Sequence, residues 1–265
     1  IRIKPTNVCN HDCWYCSYHA SNLDLGVDME YRDSIPIDKM KQIVSDIIRM
    51  KVSAVTFSGG GEPLLYKKLP EIIENLSKGG VKVAALTNGA NLKGEMADAF
   101  AEYGSWIRVS LDGYDDESYA KARRVGVGEF SKLLNNLADF SARDTKCTLS
   151  AVYVVDHHNY NHVFDICEKL KVHGVKTVKL SGVIVGDSSD ENSRYHQPIK
   201  DQVGKEIEQT KKLEDNDFLI NDSYHDLDDR MWDKNYKTCP NLLYSPVIAA
   251  DSKVYTCHDK AYTES

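Results

Sequence analysis

Six short strand-like runs, each followed by a helical pattern, most limit what this chain of 265 residues can become. The runs cover residues 1–6, 54–58, 82–87, 106–111, 148–155 and 177–183 and are rich in Val, Ile, Leu and Thr, the residues that favour strands. Amphipathic segments lie between them at 38–50, 69–78, 92–103, 129–142 and 161–173. In the first, Met40, Ile43, Val44, Ile47 and Ile48 recur at the i, i+3, i+4 spacing of a helix with one apolar side. In the last, Val163, Ile166, Cys167 and Leu170 do the same, and Gly174 is placed to end it. Strands alternating with helices imply parallel βαβ units with right-handed crossovers, hence an α/β fold. Six units fall short of the eight that close a barrel. The expectation is a partial (β/α)6 TIM-like barrel, with a doubly wound sheet as the alternative. In both, function belongs at the carboxyl ends of the strands.

A chain this long buries a core without staples. Its charged (28%) and apolar (42%) fractions argue against wholesale disorder. No apolar run approaches the roughly 20 residues that span a bilayer, and the polar opening reads as lacking an export signal. The net charge is −7, and residues 186–230, with 13 acidic against 6 basic residues, account for all of it. That balance disfavours nucleic acid or an anionic membrane as partner. It marks 186–230 as a solvated surface segment, with one helix expected near 203–213. If this segment borders the mouth of the fold, it favours a basic or amino-bearing substrate.

The seven cysteines are an odd number, which excludes an even disulfide framework. A reducing compartment such as the cytoplasm, with metal ligation, is the better reading. Cys9, Cys13 and Cys16 fall within eight residues, directly after the first strand run. Three thiolates on one loop can hold three corners of a cubane [4Fe-4S] cluster and leave one iron open. The competing reading is zinc, held by the three Cys with His11 or His19. Zinc ribbons use two separated CxxC pairs, whereas this chain has one compact group. A non-catalytic zinc or iron–sulfur protein, braced by its thiolates, is the rival outside the enzymes.

The order of the remaining motifs resembles the radical S-adenosylmethionine (SAM) superfamily over residues 1–185. CxxxCxxC follows the first strand, with Tyr15 before the last Cys. Ser58-Gly59-Gly60-Gly61-Glu62-Pro63 follows the second, where the family carries its GGEP motif. Thr87-Asn88-Gly89 closes the third, Ser110-Leu111-Asp112-Gly113 the fourth, and Asn159 lies past the fifth. The resemblance implies a [4Fe-4S] cluster on Cys9, Cys13 and Cys16, with SAM chelating the open iron. It implies reductive cleavage of SAM to a 5′-deoxyadenosyl radical that abstracts hydrogen from substrate. Tyr15, Gly59, Gly60, Gly61, Glu62, Ser110, Asp112 and Arg124 are its implied SAM contacts. Glu62 would accept from the SAM ammonium, Ser110 and Asp112 would meet the ribose, and Arg124, or its neighbour Arg123, would pair with the carboxylate. An electron donor such as flavodoxin or ferredoxin is implied, and a small-molecule or peptide substrate. A radical SAM methyltransferase is the alternative within the enzymes, although no methyl-accepting cysteine set or cobalamin domain is evident.

Past residue 238 the text changes. Cys239-Pro240, and then Ile248 through Cys257 with an Asp251-Ser252 turn, resembles the start of the auxiliary-cluster domain called SPASM, or twitch in its shorter form. The implied organisation is a barrel core at 1–185, an acidic connecting segment with a helix at 186–238, and the start of the auxiliary domain at 239–265. Cys239 and Cys257 are its candidate ligands. The chain stops eight residues after Cys257, before the further cysteines a second cluster needs, so truncation is expected. The rival is a plain hairpin with two incidental cysteines. Cys167 reads as core and Cys147 fits no motif; His157 and His158 read as a polar loop pair that could contact substrate, and His258 as a candidate neighbour of substrate or cluster.

Overall fold

The computed structural model describes residues 1–19, 26–225, 237–239 and 241–263. Strand β1 (Arg2–Ile3) leads through the cysteine loop to helix α1 (Ile37–Arg49), which buries Met40, Ile43, Val44 and Ile47, as the sequence spacing requires. The alternation continues through β2 (Ala54–Phe57), α2 (Leu69–Lys78), β3 (Lys82–Thr87), α3 (Gly94–Tyr103) and β4 (Gly104–Leu111). Two helices, α4 (Asp116–Arg123) and α5 (Glu129–Ser141), precede β5 (Thr148–Val155). Then come α6 (Val163–Val172), β6 (Thr177–Gly182), α7 (Ser189–His196), α8 (Lys200–Thr210) and β7 (Leu219–Asp222). The chain closes with α9 (Asn241–Tyr244) and a hairpin of β8 (Val247–Ile248) and β9 (Val254–Tyr255).

The strands form one sheet in the order β7-β6-β5-β4-β3-β2-β1-β8-β9. Every neighbouring pair is parallel except β8 with β9. The sheet is open, a partial barrel of α/β type. Burial alternates along β4 and β6, so that Ile107, Val109, Leu111, Val178 and Leu180 enter the helix-side core. The residues between them face the other way, into the concave side. Gly174, at φ +81°, turns the chain out of α6, where a Cβ would strike Ser141.

Three differences from the sequence reading have physical reasons. The first strand is two residues long, not six, since Pro5 offers no N–H to a ladder. Segment 186–230 holds more than one helix in a solvated stretch. It contributes α7, α8 and the seventh parallel strand, with Phe218, Ile220 and Tyr224 buried. The four residues of β7 are too few for periodicity to stand out from polar neighbours. The hairpin turns at Asp251-Ser252 as expected, with Ser252 at φ +65°. It also docks: Arg2 and Ile3 pair in parallel with Val247 and Ile248. No helix among the described residues is long and apolar enough to cross a membrane.

Candidate active site

The carboxyl ends of β1 to β5 converge on the cysteine loop. The loop is tied to the end of α4 by backbone bonds, Asp12 N–H to Arg123 O at 3.1 Å and Trp14 N–H to Ala122 O at 3.2 Å. The Cys16 amide donates to Cys13 O at 3.1 Å, which curls the last turn of the loop. Tyr31 donates its hydroxyl to Cys9 O at 2.9 Å, and the His11 amide donates to Cys9 Sγ at 3.4 Å. All seven cysteines are free, with Cys9, Cys13 and Cys16 half-buried.

Burial pushes the Cys9 thiol up to about 11 and the Cys13 thiol to about 12, and raises Cys16 too. The Arg123 charge pulls each of the three back in part. Without a further cation the thiols therefore stay protonated at neutral pH. A bound metal reverses that preference, because coordination deprotonates a thiol outright. A single zinc with Zn–S bonds near 2.3 Å draws its sulfurs to within about 4 Å of one another. Among the described residues, no three His, Cys, Asp or Glu side chains form a group able to hold one metal ion. A loop of three thiols can also serve a cubane and leave one iron open. His11, a zinc ligand in the competing reading, is buried with its ring edge-on to Tyr119 at 6.0 Å. Burial lowers its pKa to about 3.

Opposite the loop lies the turn after β2. The Gly61 amide donates to Thr6 O at 3.2 Å and the Glu62 amide to Val8 O at 2.9 Å. This close approach explains the glycines. A Cβ on Gly61 would sit 2.2 Å from Val8 O, and one on Gly60 would sit 2.3 Å from Asn7 Oδ1. Glu62 is buried and accepts three bonds: from Thr87 Oγ1 (2.6 Å) and Leu64 N (2.9 Å) on Oε1, and from Asn88 N (2.7 Å) on Oε2. Burial raises its pKa against these bonds. Asn88 also donates to Asn10 Oδ1 at 2.8 Å, so the turn after β3 holds both Glu62 and the cysteine loop.

The third wall is a buried polar network. Arg123 pairs with Asp112 Oδ1 at 2.9 Å and donates to Tyr15 and Ser110 hydroxyls, both at 3.1 Å. Its guanidinium lies 5.1 Å from the Tyr119 ring. Asn159 donates to Asp112 O at 2.7 Å. Asp112 Oδ2 is buried without a partner among the described residues. Thus Tyr15, Ser110 and Asp112 from the sequence set meet at one arginine, and it is Arg123. Arg124, the last residue of that set, stands outside the network. It caps α4 in the left-handed region at φ 51° and pairs with Asp12 at 2.9 Å, at 58% side-chain exposure. Arg124 lines two cavities, of about 710 and 330 Å³. The larger also holds Trp14, Tyr114, His158 and Tyr195, and the smaller holds Cys9 and His19. The choice between the arginines depends on helix phase. Tyr119 and Arg123, four apart, share the buried side of α4, a helix that the sequence reading did not delimit.

The C-terminal hairpin reaches this site from the β1 edge. Tyr262 donates to Asn7 Oδ1 at 2.6 Å, beside the start of the cysteine loop. Tyr18 donates to His258 O at 3.2 Å. Cys239 and Cys257 are half-buried. Cys167 is fully buried on α6, and Cys147 is buried too.

Comparison with known proteins gives a consistent family. Residues 3–170 match the model of the Radical SAM superfamily. The S-adenosylmethionine-dependent nucleotide dehydratase of Lacinutrix mariniflava is 32% identical over 121 residues, 46% of this chain and 25% of that protein. The Fe-coproporphyrin III synthase of Methanosarcina barkeri is 28% identical over 80% of this chain and 52% of its own length. Among solved structures, Streptococcus suis SuiB bound to its precursor peptide SuiA superposes with a TM-score of 0.67 at 14% identity. That match covers all of this chain and 60% of SuiB, and shows a shared fold. The chain spans between a quarter and about half of the length of those two curated relatives.

Proposed function

We propose that this chain, which belongs to the radical SAM superfamily, is the catalytic barrel of an enzyme that cleaves SAM reductively. In this reading it removes a hydrogen atom from a peptide or carbohydrate-like substrate, with oxidation, epimerisation or rearrangement as the outcome. Members of the superfamily use a [4Fe-4S] cluster and SAM. The observation that carries the reading is the trio of half-buried thiols facing the buried Tyr15–Arg123–Asp112–Ser110 network. When bound, the cluster and SAM supply the electron transfer and the hydrogen abstraction.

The chain's own residues hold and orient. Cys9, Cys13 and Cys16 ligate the cluster. Gly59, Gly60 and Gly61 keep the turn after β2 flat against the loop, and Glu62, held by three donors, keeps acceptor capacity on Oε2 for an ammonium group. Ser110 and the orphaned Asp112 Oδ2 are acceptors for ribose hydroxyls. Arg123 fixes both and brings positive charge to the thiolates. Arg124, at the rim of both cavities, is placed to meet a carboxylate. Residues 239–265 are read as the start of an auxiliary-cluster domain with Cys239 and Cys257 as ligands. A cytoplasmic setting, which keeps thiols reduced, and a flavodoxin or ferredoxin as electron donor complete the proposal. The test is formation of 5′-deoxyadenosine from SAM by the anaerobically reconstituted protein on reduction. Turnover in wild type and none in Cys13→Ala supports the reading; no product from a cluster-loaded wild type overturns it.

A further inference from the structure

The concave face of the sheet carries cations with no acidic partner among the described residues. Arg108 on β4 and Lys179 on β6 occupy the positions that alternate with the helix-side core residues Ile107, Val109, Val178 and Leu180. They therefore share the concave face with Ser110. Register fixes their places. Ser110, Val152 and Lys179 form one row across β4, β5 and β6, and Arg108, Ser150 and Thr177 form the row below. With strands about 4.8 Å apart and a rise of about 3.3 Å per residue, the two cationic residues have α-carbons roughly 12 Å apart. Two long side chains can close that span on one small group.

Both are half-buried, and neither has an Asp or Glu partner among the described residues. Arg108 rests on the Trp106 ring at 5.5 Å, and its Nε is buried without an acceptor among the described residues. Ser58, the residue after β2, lies on the same face at 5% exposure and also has an Oγ without a partner among the described residues. Of the other charges on the face, Arg2 lies on β1, three strands away from β4. Asp112 pairs with Arg123, and Lys4 is shut in by the Tyr18 and Tyr262 rings. A half-buried guanidinium without an acceptor is costly to keep, and its fork geometry matches a planar or tetrahedral oxyanion.

We infer that the substrate carries an oxyanion, a carboxylate or a phosphate, which docks between Arg108 and Lys179 on the concave face. This rests on the radical SAM reading and narrows it. It also runs against the preference for a basic substrate drawn from the acidic 186–230 segment, because Arg108 and Lys179 are both positive.

The test uses cluster-loaded protein saturated with SAM, titrated with inorganic phosphate and, separately, with succinate. The inference expects millimolar or tighter binding of at least one of them, weakened by added salt. Arg108→Gln and Lys179→Gln should each reduce it about fivefold or more, and Lys132→Gln, on the outer surface of α5, should leave it unchanged. Arg108→Lys, which keeps the charge, should retain most of the affinity and guards against a folding defect in Arg108→Gln. Preference for phosphate or for succinate then tells which oxyanion the site takes. No binding of either at tens of millimolar, equal binding by the Gln variants, or anion binding seen only without SAM each overturns it. Formation of 5′-deoxyadenosine by the same wild-type preparation reports separately on the SAM-cleaving reading.

Discussion

The loop after β1 and the turn after β2 face each other across a few ångströms and are built on opposite principles. The turn is held by partners already in place. Glu62 has three donors, Gly60 and Gly61 are pressed against Asn7 and Val8, and Thr87 and Asn88 lock the carboxylate. The loop is incomplete. Its thiols are forced toward the protonated form by burial, and His11 Nδ1 and His19 Nε2 lack partners among the described residues. A rigid frame beside an unsatisfied donor set is what a site for a positively charged inorganic core requires, because the frame sets geometry before the core arrives.

The sharpest way to break this contrast is in the loop. Cys13→Ala should abolish 5′-deoxyadenosine formation and lower the iron content, yet leave the urea midpoint of the metal-free protein close to wild type. A large loss of metal-free stability would mean that the loop, too, is a structural brace.

Substitutions at the two arginines come next in size. Arg123→Gln strands the buried Asp112 carboxylate and should cost about 3–5 kcal/mol in chemical unfolding. Arg124→Gln removes a pair at 58% and 59% side-chain exposure and should cost at most about 1 kcal/mol. Equal costs would dissolve the distinction between the wall and the rim of the site.

The glycines of the turn sharpen the comparison further. At Gly61 a Cβ meets backbone atoms of Asn7 and Val8, which cannot swing away, so Gly61→Ala should cost about 1–3 kcal/mol or more. At Gly60 the obstacles are the side chains of Asn7 and Met29, which can yield, so Gly60→Ala should cost less. Thermal midpoints of the two variants give the order directly.

The smallest effect lies far from both. His196 on α7 is buried between Val183 O (2.9 Å) and the Tyr224 hydroxyl (3.1 Å), and burial lowers its pKa. Below pH 6.5 the unfolded chain binds a proton that the native ring resists, so stability declines as pH falls from there through the lowered native pKa. His196→Gln should flatten that part of the urea stability profile between pH 7.5 and 5.

Much of this was legible in the sequence. Helix spacing such as Met40–Ile43–Val44–Ile47 and the apolar runs fixed the order of the barrel units, because burying one side of each element leaves a period in the text. CxxxCxxC, GGGEP and TNG could be read because each needs particular residue types at fixed offsets. Other features depend on partners distant in sequence. Arg123 could be told from Arg124 only once α4 had a phase, and Asn7 with Tyr262 is a bond across 255 positions. The row of Arg108 and Lys179 exists only through the register of β4, β5 and β6. β7 is short and polar-flanked, so its pairing with β6 rather than its composition makes it a strand.

Iron, acid-labile sulfide and zinc per chain, measured on anaerobically purified Cys239→Ala/Cys257→Ala protein, test the nature of the cysteine loop most directly. Close to four iron and four sulfide with little zinc is the predicted result. One zinc and no sulfide would make the loop a closed structural knuckle and contradict the proposed chemistry.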